Sequence, residues 1–422
     1  MTRVGILFGG RSAEHEVSLQ SARNLVAALD RERYKPVLVG IDKEGRWLHY
    51  PDEQRFLENS DDPERIRLAE CGRPVTLLPW NNAGRLVPLQ AGVGRSRPSG
   101  SVAGAGDGSM RNTETDNDEA AGQGTQGPAD QDGGNGPRTA QGFRDDGISP
   151  TADAPQVDVI FPVLHGPLGE DGTIQGLFRL AEMAFVGSGV LGSSAGMDKD
   201  LQKRLLGQAG IRVAPWTLLR SPEEADFKAL SREFGLPLFV KPANMGSSVG
   251  VHKVFEEEGL HRAVRDALRF DLKVLVEKAI PGREIECSVL GNEDARASLP
   301  GEIVPKNGFY SYDAKYVDSE GAELIVPARI SRPELVKQIQ DWSVRAFQAL
   351  CCRGLARADF FLSDDNELYL NEINTMPGFT RISMYPKLWD ATGIPYPELI
   401  HCLIQLALDH HHRRSQLATS YF

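Results

Sequence analysis

The feature that most constrains this chain is a pair of apolar segments near its C-terminal end, each of which carries acidic side chains. The segments are residues 356–362 and 368–374, and the polar stretch 363–367 separates them. Two short apolar runs joined by such a turn predict a hairpin of two largely buried strands. The fold must therefore accommodate charged groups on strands that otherwise belong in a core.

The register of this hairpin predicts where the charges meet. We take the turn to centre on Asp365 and Asn366. Asp359 then lies directly opposite Glu372, and Asn374 shares the face of Glu372. Two carboxylates and an amide in apolar surroundings repel each other and are poorly solvated unless a cation neutralises them.

Such a set of oxygen ligands suits Mg²⁺, which keeps water and substrate phosphates in its coordination shell. A calcium or purely structural site, and an uncompensated surface hairpin, remain as alternatives.

The N-terminal residues predict the start of an α/β domain. Residues 4–8 form an apolar run that leads into Gly9 and Gly10, an amphipathic helix follows, and residues 36–41 predict a second strand. This order is a βαβ beginning.

The pattern then stops from about residue 92 to residue 153. Gly, Ser, Asp, Asn, Gln and Pro dominate this stretch, and Phe143 is its only aromatic residue. Such a stretch buries too little apolar area to offset its ordering entropy, which predicts a disordered insertion. A docking role for it stays open. Periodicity resumes at residues 157–161, so the first domain is expected to be interrupted rather than ended.

A second group of polar residues surrounds a glycine- and serine-rich loop. The predicted strand 237–240 delivers Lys241 into residues 242–250, where an ammonium group and backbone N–H groups can bind phosphates. The spacing is not that of a P-loop, and a mobile turn with a solvated lysine is the alternative. Glu277 and Glu284, at the end of the next strand and just beyond it, could accept hydrogen bonds from a nucleotide, although either alone could be a surface charge.

Charge and cysteine usage exclude several classes of protein. The 58 acidic side chains outnumber the 47 basic ones, and the net charge of −11 disfavours nucleic acid as a partner. No apolar run reaches the length of about 18 residues that spans a bilayer, and no secretory leader is present, so we expect a soluble, cytoplasmic protein. The five cysteines show no C-x-x-C spacing and are interpreted as reduced thiols.

In combination, these motifs resemble the ATP-grasp superfamily and, within it, the family of D-alanine:D-alanine ligases. The resemblance covers nearly the whole chain except the insertion. The matching segments are residues 7–18, 165–172, 187–189, 197–199, 241–250, 277–284, 309–316, 357–359 and 371–378. Each is weak alone, but their order and spacing together are specific.

The resemblance implies a mixed α/β and α+β architecture of three domains, the first of them a Rossmann-like (pre-ATP-grasp) domain. The expected bounds are an N-terminal substrate domain at 1–190 with the insertion at about 92–153, a central ATP-grasp subdomain at 191–283, a C-terminal ATP-grasp subdomain with the metal site at 284–412, and a tail at 413–422.

The implied activity is the ATP-dependent joining of two D-alanine molecules through a D-alanyl phosphate, with two Mg²⁺ or Mn²⁺ ions, for peptidoglycan precursor synthesis. A homodimer is also implied. A D-alanine:D-lactate ligase or another carboxylate–amine ligase of the superfamily is the nearest alternative.

The resemblance also implies a role for individual residues. Those for the nucleotide are Lys199, Lys241, Ser248, Glu277, Lys278, Ala279, Ile280, Glu284 and Lys315. Those for the metal ions are Asp359, Glu372 and Asn374. Those for the substrates and the oxyanion are Glu14, Ser247, Tyr316, Arg357, Gly378, Ser383 and, in a supporting role, His165. Exposure of His165 to water is the alternative for that residue.

Two other classes of protein are weighed against this interpretation. The opening strand and glycines could belong to a Rossmann-type dehydrogenase, but the G-x-G-x-x-G spacing is absent. A catalytically inactive nucleotide-binding regulator would be expected to lack a metal ligand or a phosphate lysine, and all of them are present.

Tyr316 generates the first prediction. By resemblance its hydroxyl completes a hydrogen-bonded triad with Glu14 and Ser247, and tyrosine here favours D-alanine as the nucleophile. We predict that Tyr316→Phe gains activity with D-lactate. Product analysis of a mixed D-alanine and D-lactate reaction tests this, and a variant that makes only D-alanyl-D-alanine would contradict the assignment.

Overall fold

The structure is a computed structural model that describes residues 1–62, 65–79, 84–89, 154–305, 322–418 and 420. The predicted insertion at 92–153 lies outside the described residues, as do Lys315 and Tyr316.

A mixed sheet forms the N-terminal part of the fold. Its strands are β1 (Thr2–Gly9), β2 (Tyr34–Ile41), β3 (Trp47–Tyr50), β6 (Arg73–Leu77), β7 (Leu86–Pro88), β8 (Val159–Pro162) and β9 (Ala184–Phe185). The strands β4 (Leu57–Glu58) and β5 (Arg67–Leu68) form a separate two-stranded ribbon. The strand order is β7-β6-β3-β2-β1-β8-β9. β1 pairs in parallel with β2 on one side and with β8 on the other. The βαβ prediction is thus confirmed, and the segment after residue 153 continues the sheet that begins at the N-terminus.

Three short helices accompany this sheet and lead out of it. They are α1 (His15–Ala28), α2 (Thr173–Leu180) and α3 (Val190–Met197). The next helix is α4 (Lys199–Gln208), and the Asp198 side chain accepts a hydrogen bond from the N–H of Leu201 at its start. A carboxylate at this position also interacts favourably with the positive end of the helix dipole, which stabilises the start of the helix.

The central part of the chain is a four-stranded antiparallel sheet. It contains β10 (Trp216–Leu219), β11 (Leu238–Pro242), β12 (His252–Val254) and β13 (Val274–Lys278), in the order β10-β13-β11-β12. Helices α5 (Phe227–Phe234) and α6 (Glu257–Ala267) bury their apolar faces against it.

A third sheet carries the predicted hairpin. Its strands are β14 (Gly282–Gly291), β15 (Arg296–Ala297), β16 (Gly301–Pro305), β17 (Ala322–Ile325), β18 (Gly354–Ser363) and β19 (Leu368–Asn374), in the order β17-β16-β14-β18-β19 with β15 beside β14. Helix α7 (Pro333–Ala349) packs on this sheet, and α8 (Met384–Ala391) and α9 (Tyr396–Ser415) follow it.

The last helix returns to the N-terminal sheet. Leu399, Leu403 and Ile404 of α9 are buried in one cluster with Phe8 and Phe161 of the first sheet. The described residues of these segments accordingly belong to one compact unit. The domain bounds given above remain a prediction.

The hairpin confirms the predicted partners but corrects the predicted turn. Asp359 pairs with Glu372, whereas Phe360 pairs with Leu370 because the register shifts by one residue between Asp359 and Phe360. The turn therefore centres on Asp365 alone, and a β-bulge at Asn371 restores the predicted pairing of Asp359 with Glu372. A bulge of this kind redirects side chains locally, which is common beside functional sites.

Among the described residues, no helix combines the length and the apolar character that crossing a membrane requires.

Candidate functional site

A cleft of about 550 Å³ lies between the central sheet and the third sheet. Many of the predicted nucleotide and metal residues, together with the predicted substrate residue Ser247, line it. They are Lys199, Lys241, Ser247, Ser248, Glu277, Lys278, Ala279, Ile280, Glu284, Asp359 and Glu372. The tertiary structure therefore brings together residues that the sequence separates widely.

Three carboxylates form a row across the floor of this cleft. Glu286 on β14 pairs with Asp359 on β18, and Asp359 pairs with Glu372 on β19. Like charges directly opposite each other on neighbouring strands destabilise a sheet. Asp359 and Glu372 were predicted from their local pattern, but Glu286 was not, because the pairing of β14 with β18 joins segments that are far apart in the sequence.

Cationic side chains of the chain itself compensate part of this charge. The Arg357 guanidinium donates from Nε and Nη2 to the two carboxylate oxygens of Asp359, each over 2.7 Å, and its Nε lies 3.0 Å from Glu286. Asn374 donates from Nδ2 to Asp359 over 2.9 Å. Asp359 and Asn374 are thus in contact, as the shared face predicted, and Arg357 is tied to the same carboxylate.

Lys199 links the start of α4 to both neighbouring elements. Its ammonium donates to the carbonyl oxygen of Met245 over 2.7 Å and lies 3.4 Å from a carboxylate oxygen of Glu372. Its backbone N–H donates to the carbonyl oxygen of Ala243 over 3.0 Å. The lysine therefore joins the glycine-rich loop to the row of acids.

The loop from 243 to 250 has an unusual backbone. Ser247 and Ser248 both adopt positive φ angles, 48° and 60°, and Gly250 has a φ of 69°. Positive φ costs non-glycine residues about 1 kcal/mol or more, so surrounding contacts must hold the two serines in place. Asp271 anchors the base of the loop, since it accepts hydrogen bonds from the backbone N–H and the side-chain amide of Asn244 over 2.6 and 3.0 Å.

Glu277 lies between two lysines. One carboxylate oxygen is 2.9 Å from the Lys241 ammonium, and the other is 3.1 Å from the ammonium of Lys203. Lys241 also donates to the side-chain oxygen of the bulge residue Asn371 over 3.3 Å. Burial alone would raise the pKa of Glu277, but the two ammonium groups outweigh it and lower the pKa, so the carboxylate is ionised.

A second cluster surrounds Glu14, which lies just before α1 and is only 7% exposed. The hydroxyl of Ser247 donates to its carboxylate. Gly166 and Gly246 approach it so closely that an added Cβ would lie 2.9 and 3.2 Å from its Oε2 atom. Two members of the predicted triad are thus in contact, and the third, Tyr316, lies outside the described residues.

His165 is buried, so its predicted alternative, exposure to water, is wrong. Its Nδ1 atom lies 3.5 Å from a carboxylate oxygen of Glu170. Burial opposes its protonation, but the hydrogen bond to Glu170 and the charge of Glu14 outweigh burial and raise the pKa of His165. Glu170 was not predicted, because its place in the same loop is its only local signal.

Gly378 and Ser383 lie next to each other before α8. An added Cβ on Gly378 would be 3.1 Å from the Ser383 hydroxyl. That hydroxyl accepts a hydrogen bond from the N–H of Thr380 over 3.1 Å and lies 2.8 Å from the Thr380 hydroxyl. Thr380, which the sequence analysis missed, therefore helps to orient Ser383.

Two family profiles match this chain over most of its length. The profile of the D-ala D-ala ligase N-terminus matches residues 3–188, and that of the D-ala D-ala ligase C-terminus matches residues 205–405. The chain belongs to the D-Ala–D-Ala ligase family. The predicted family is confirmed, and the dehydrogenase interpretation is wrong.

Relatives of this ligase-family chain align over nearly its full length. It is 47% identical over 420 residues to a D-alanine–D-alanine ligase of Oceanobacillus iheyensis, with 99% of this chain and 98% of that protein covered. It is 46% identical over 420 residues to D-alanine–D-alanine ligase A of Escherichia coli K12, with 99% of each covered.

Solved structures of ligases share its fold. The D-alanine-D-alanine ligase of Coxiella burnetii is 33% identical with a TM-score of 0.74, over 98% of this chain and 96% of that one. The VanG D-Ala:D-Ser ligase of Enterococcus faecalis is 31% identical with a TM-score of 0.72, over 96% and 99%. The mixed α/β and α+β ATP-grasp fold is thereby confirmed.

The anchoring of the loop generates the second prediction. Asp271→Ala removes the acceptor of two hydrogen bonds from Asn244, and hydrogen bonds to charged groups contribute about 1.5–3 kcal/mol. We predict that hydrogen–deuterium exchange of residues 244–250 becomes roughly tenfold faster or more. The control is Asp226→Ala, which removes the acceptor for Ala229 at the start of α5 and should leave the loop unchanged. Equal exchange of the loop in wild type and Asp271→Ala would contradict the anchor.

Proposed function

We propose that this ligase-family chain joins two D-alanine molecules to D-alanyl-D-alanine, with ATP as the source of energy, in the synthesis of cell-wall peptidoglycan precursors. The observation that carries the proposal is the cleft in which the lysines Lys199 and Lys241 face the row of carboxylates Glu286, Asp359 and Glu372. Phosphoryl transfer needs such a combination, because it depends mainly on positioning and on neutralising phosphate charge. The full-length similarity to D-alanine–D-alanine ligases supports the choice of substrate.

The nucleotide fits the part of the cleft that the central sheet contributes. Lys199, Lys241 and Ser248, which lie at or within the loop 243–250, would bind the phosphates. The strand end from 277 to 280 would bind the adenine. Glu284 would accept hydrogen bonds from the ribose. Lys315, which lies outside the described residues, would reach the γ-phosphate.

The donor set of Asp359, Glu372 and Asn374 fits Mg²⁺ or Mn²⁺. Within the described residues no group of three or more His, Cys, Asp and Glu side chains is arranged to hold a metal. The proposed set has only two carboxylates and one amide, so phosphate oxygens and water would complete the shell, which Mg²⁺ prefers. A divalent ion held there would neutralise negative charge that develops during phosphoryl transfer.

The substrate side of the site would use the second cluster. Glu14, held by Ser247, would bind the ammonium group of the first D-alanine, and the buried His165 would support this end. Arg357 and the N–H of Gly378 would stabilise the tetrahedral oxyanion. Ser383 and the N–H of Met384 would bind the carboxylate of the second D-alanine.

The chemistry follows from this arrangement. The carboxylate of the first D-alanine attacks the γ-phosphorus of ATP, so that ADP leaves and D-alanyl phosphate forms. This activation is needed because oxide is too poor a leaving group for direct attack by an amine. The amine of the second D-alanine then attacks the acyl carbon, and phosphate departs. Fixed donors around the acyl oxygen lower the barrier to this step. The cytoplasmic location stays a prediction based on the apolar runs of the sequence, and the homodimer stays a prediction based on the resemblance.

A coupled assay tests the proposed function. We predict phosphate release from ATP that depends on D-alanine and yields D-alanyl-D-alanine. L-Alanine alone serves as the negative control, and D-lactate and D-serine test the second substrate, since a structurally similar ligase is named for D-serine. Equal turnover with L-alanine alone would contradict the proposal.

The metal site generates a separate prediction. Asp359→Asn removes one charge from the proposed ligands, so we predict near-complete loss of ligase activity with the fold retained. The matched control is Asp364→Asn in the exposed turn of the same hairpin, which should keep full activity. Turnover and circular dichroism at limiting Mg²⁺ measure both variants, and unchanged turnover of Asp359→Asn would remove the hairpin from the mechanism.

A further inference from the structure

Lys203 is a fully buried lysine behind the wall of the cleft. It lies on α4, one turn after Lys199, and is 0% exposed. It is not among the residues that line the cleft. A buried ammonium group is costly unless it is paired, so its position requires an explanation.

The contacts of Lys203 lead directly to the proposed nucleotide site. Its ammonium lies 3.1 Å from one carboxylate oxygen of Glu277 and 3.4 Å from the carbonyl oxygen of Ala214. It also lies 5.8 Å from the centre of the Trp216 ring, close enough for a cation–π interaction. Trp216 pairs with Glu277 across β10 and β13, so the same strand pair holds both partners of the lysine.

Glu277 connects this lysine to the cleft. Its other carboxylate oxygen lies 2.9 Å from the ammonium of Lys241, which lines the cleft. The three side chains thus form a line of charges: positive, negative, positive. Without Lys203, the Glu277 carboxylate would neutralise Lys241 alone, whereas with it the group keeps one surplus positive charge, and that charge faces the cleft.

We propose that Lys203 is a positioning residue for the nucleotide: it fixes and neutralises the carboxylate of Glu277, so that the charge of Lys241 remains available for a phosphate group. The inference rests on the proposed function, because it assumes that the cleft binds a nucleotide.

The charge of Lys203 is sensitive to pH. Burial lowers its pKa to about 8, although Glu277 opposes the shift. The other charged groups that face it are Lys241 on β11 and Glu372 on β19, while Asp200 on its own helix bonds to the Trp216 indole. Because the protonated form supports binding, nucleotide affinity should fall as the pH rises through about 8.

The test is a double-mutant cycle on the full-length chain, with isothermal titration calorimetry of ADP in the presence of Mg²⁺. Lys203→Met should weaken ADP binding roughly tenfold at pH 7.5, because the Glu277 carboxylate would then neutralise Lys241 alone. In the background of Glu277→Gln, the same change should have little effect, because no carboxylate remains to be neutralised. A loss of equal size in both backgrounds would show a merely structural role and overturn the proposal.

Controls separate the possible failures. Lys228→Met removes an exposed lysine from α5 and should bind ADP like the wild type.

Between pH 7.5 and about 9, the wild type should lose affinity more steeply than Lys203→Met, and parallel profiles would also overturn the proposal. This comparison requires only that the variant folds, which its thermal unfolding reports. If Lys203→Met does not fold, the wild-type profile decides alone, and constant affinity across this range would overturn the proposal. Failure of the wild type to bind ADP would instead refute nucleotide binding by the cleft.

Discussion

The row of carboxylates across β14, β18 and β19 is the constraint on which the rest of the site depends. Neighbouring strands lie about 4.8 Å apart, so Glu286, Asp359 and Glu372 cannot avoid one another once the sheet forms. Their repulsion explains the position of two cations: Arg357 is bonded to Asp359 and close to Glu286, and Lys199 is close to Glu372. The sheet therefore holds a concentration of negative charge beside the cleft, and this charge is what would recruit divalent ions.

The lysines on the other side of the cleft also lie beside a carboxylate, which balances their charge. Lys241 would be neutralised by Glu277 if Lys203 did not pair with the same carboxylate from behind. Positive and negative groups thus alternate from the interior to the cleft, and each buried charge has a partner. The pairing of opposite charges offsets the desolvation cost of burying them, and cationic and anionic groups still face the space between the sheets.

Part of this arrangement could be predicted because its signals are local. The two apolar segments of the hairpin and the polar turn between them predicted β18 and β19, and the Asp359–Glu372 pair was confirmed. The turn centres on Asp365 alone rather than on Asp365 and Asn366, and the bulge at Asn371 compensated for this difference. A hairpin with the shifted turn and the bulge has the same residues in the same order as a regular hairpin. The sequence therefore carries no sign of the bulge. The order and spacing of the motifs predicted the family.

The sequence by itself determined the opening βαβ unit, several later strands, the hairpin partners and the family, since each depends on side-chain periodicity or on motifs that lie within a few residues of each other. Only the tertiary structure decided that Ser247 bonds to Glu14, 233 residues away, that Glu286 joins the row of acids, and that Lys203 stands behind Glu277. The physical reason is that long-range pairing and burial, rather than local pattern, set the distance between charges. A lysine in an exposed helix and a lysine in a buried one are identical in the sequence.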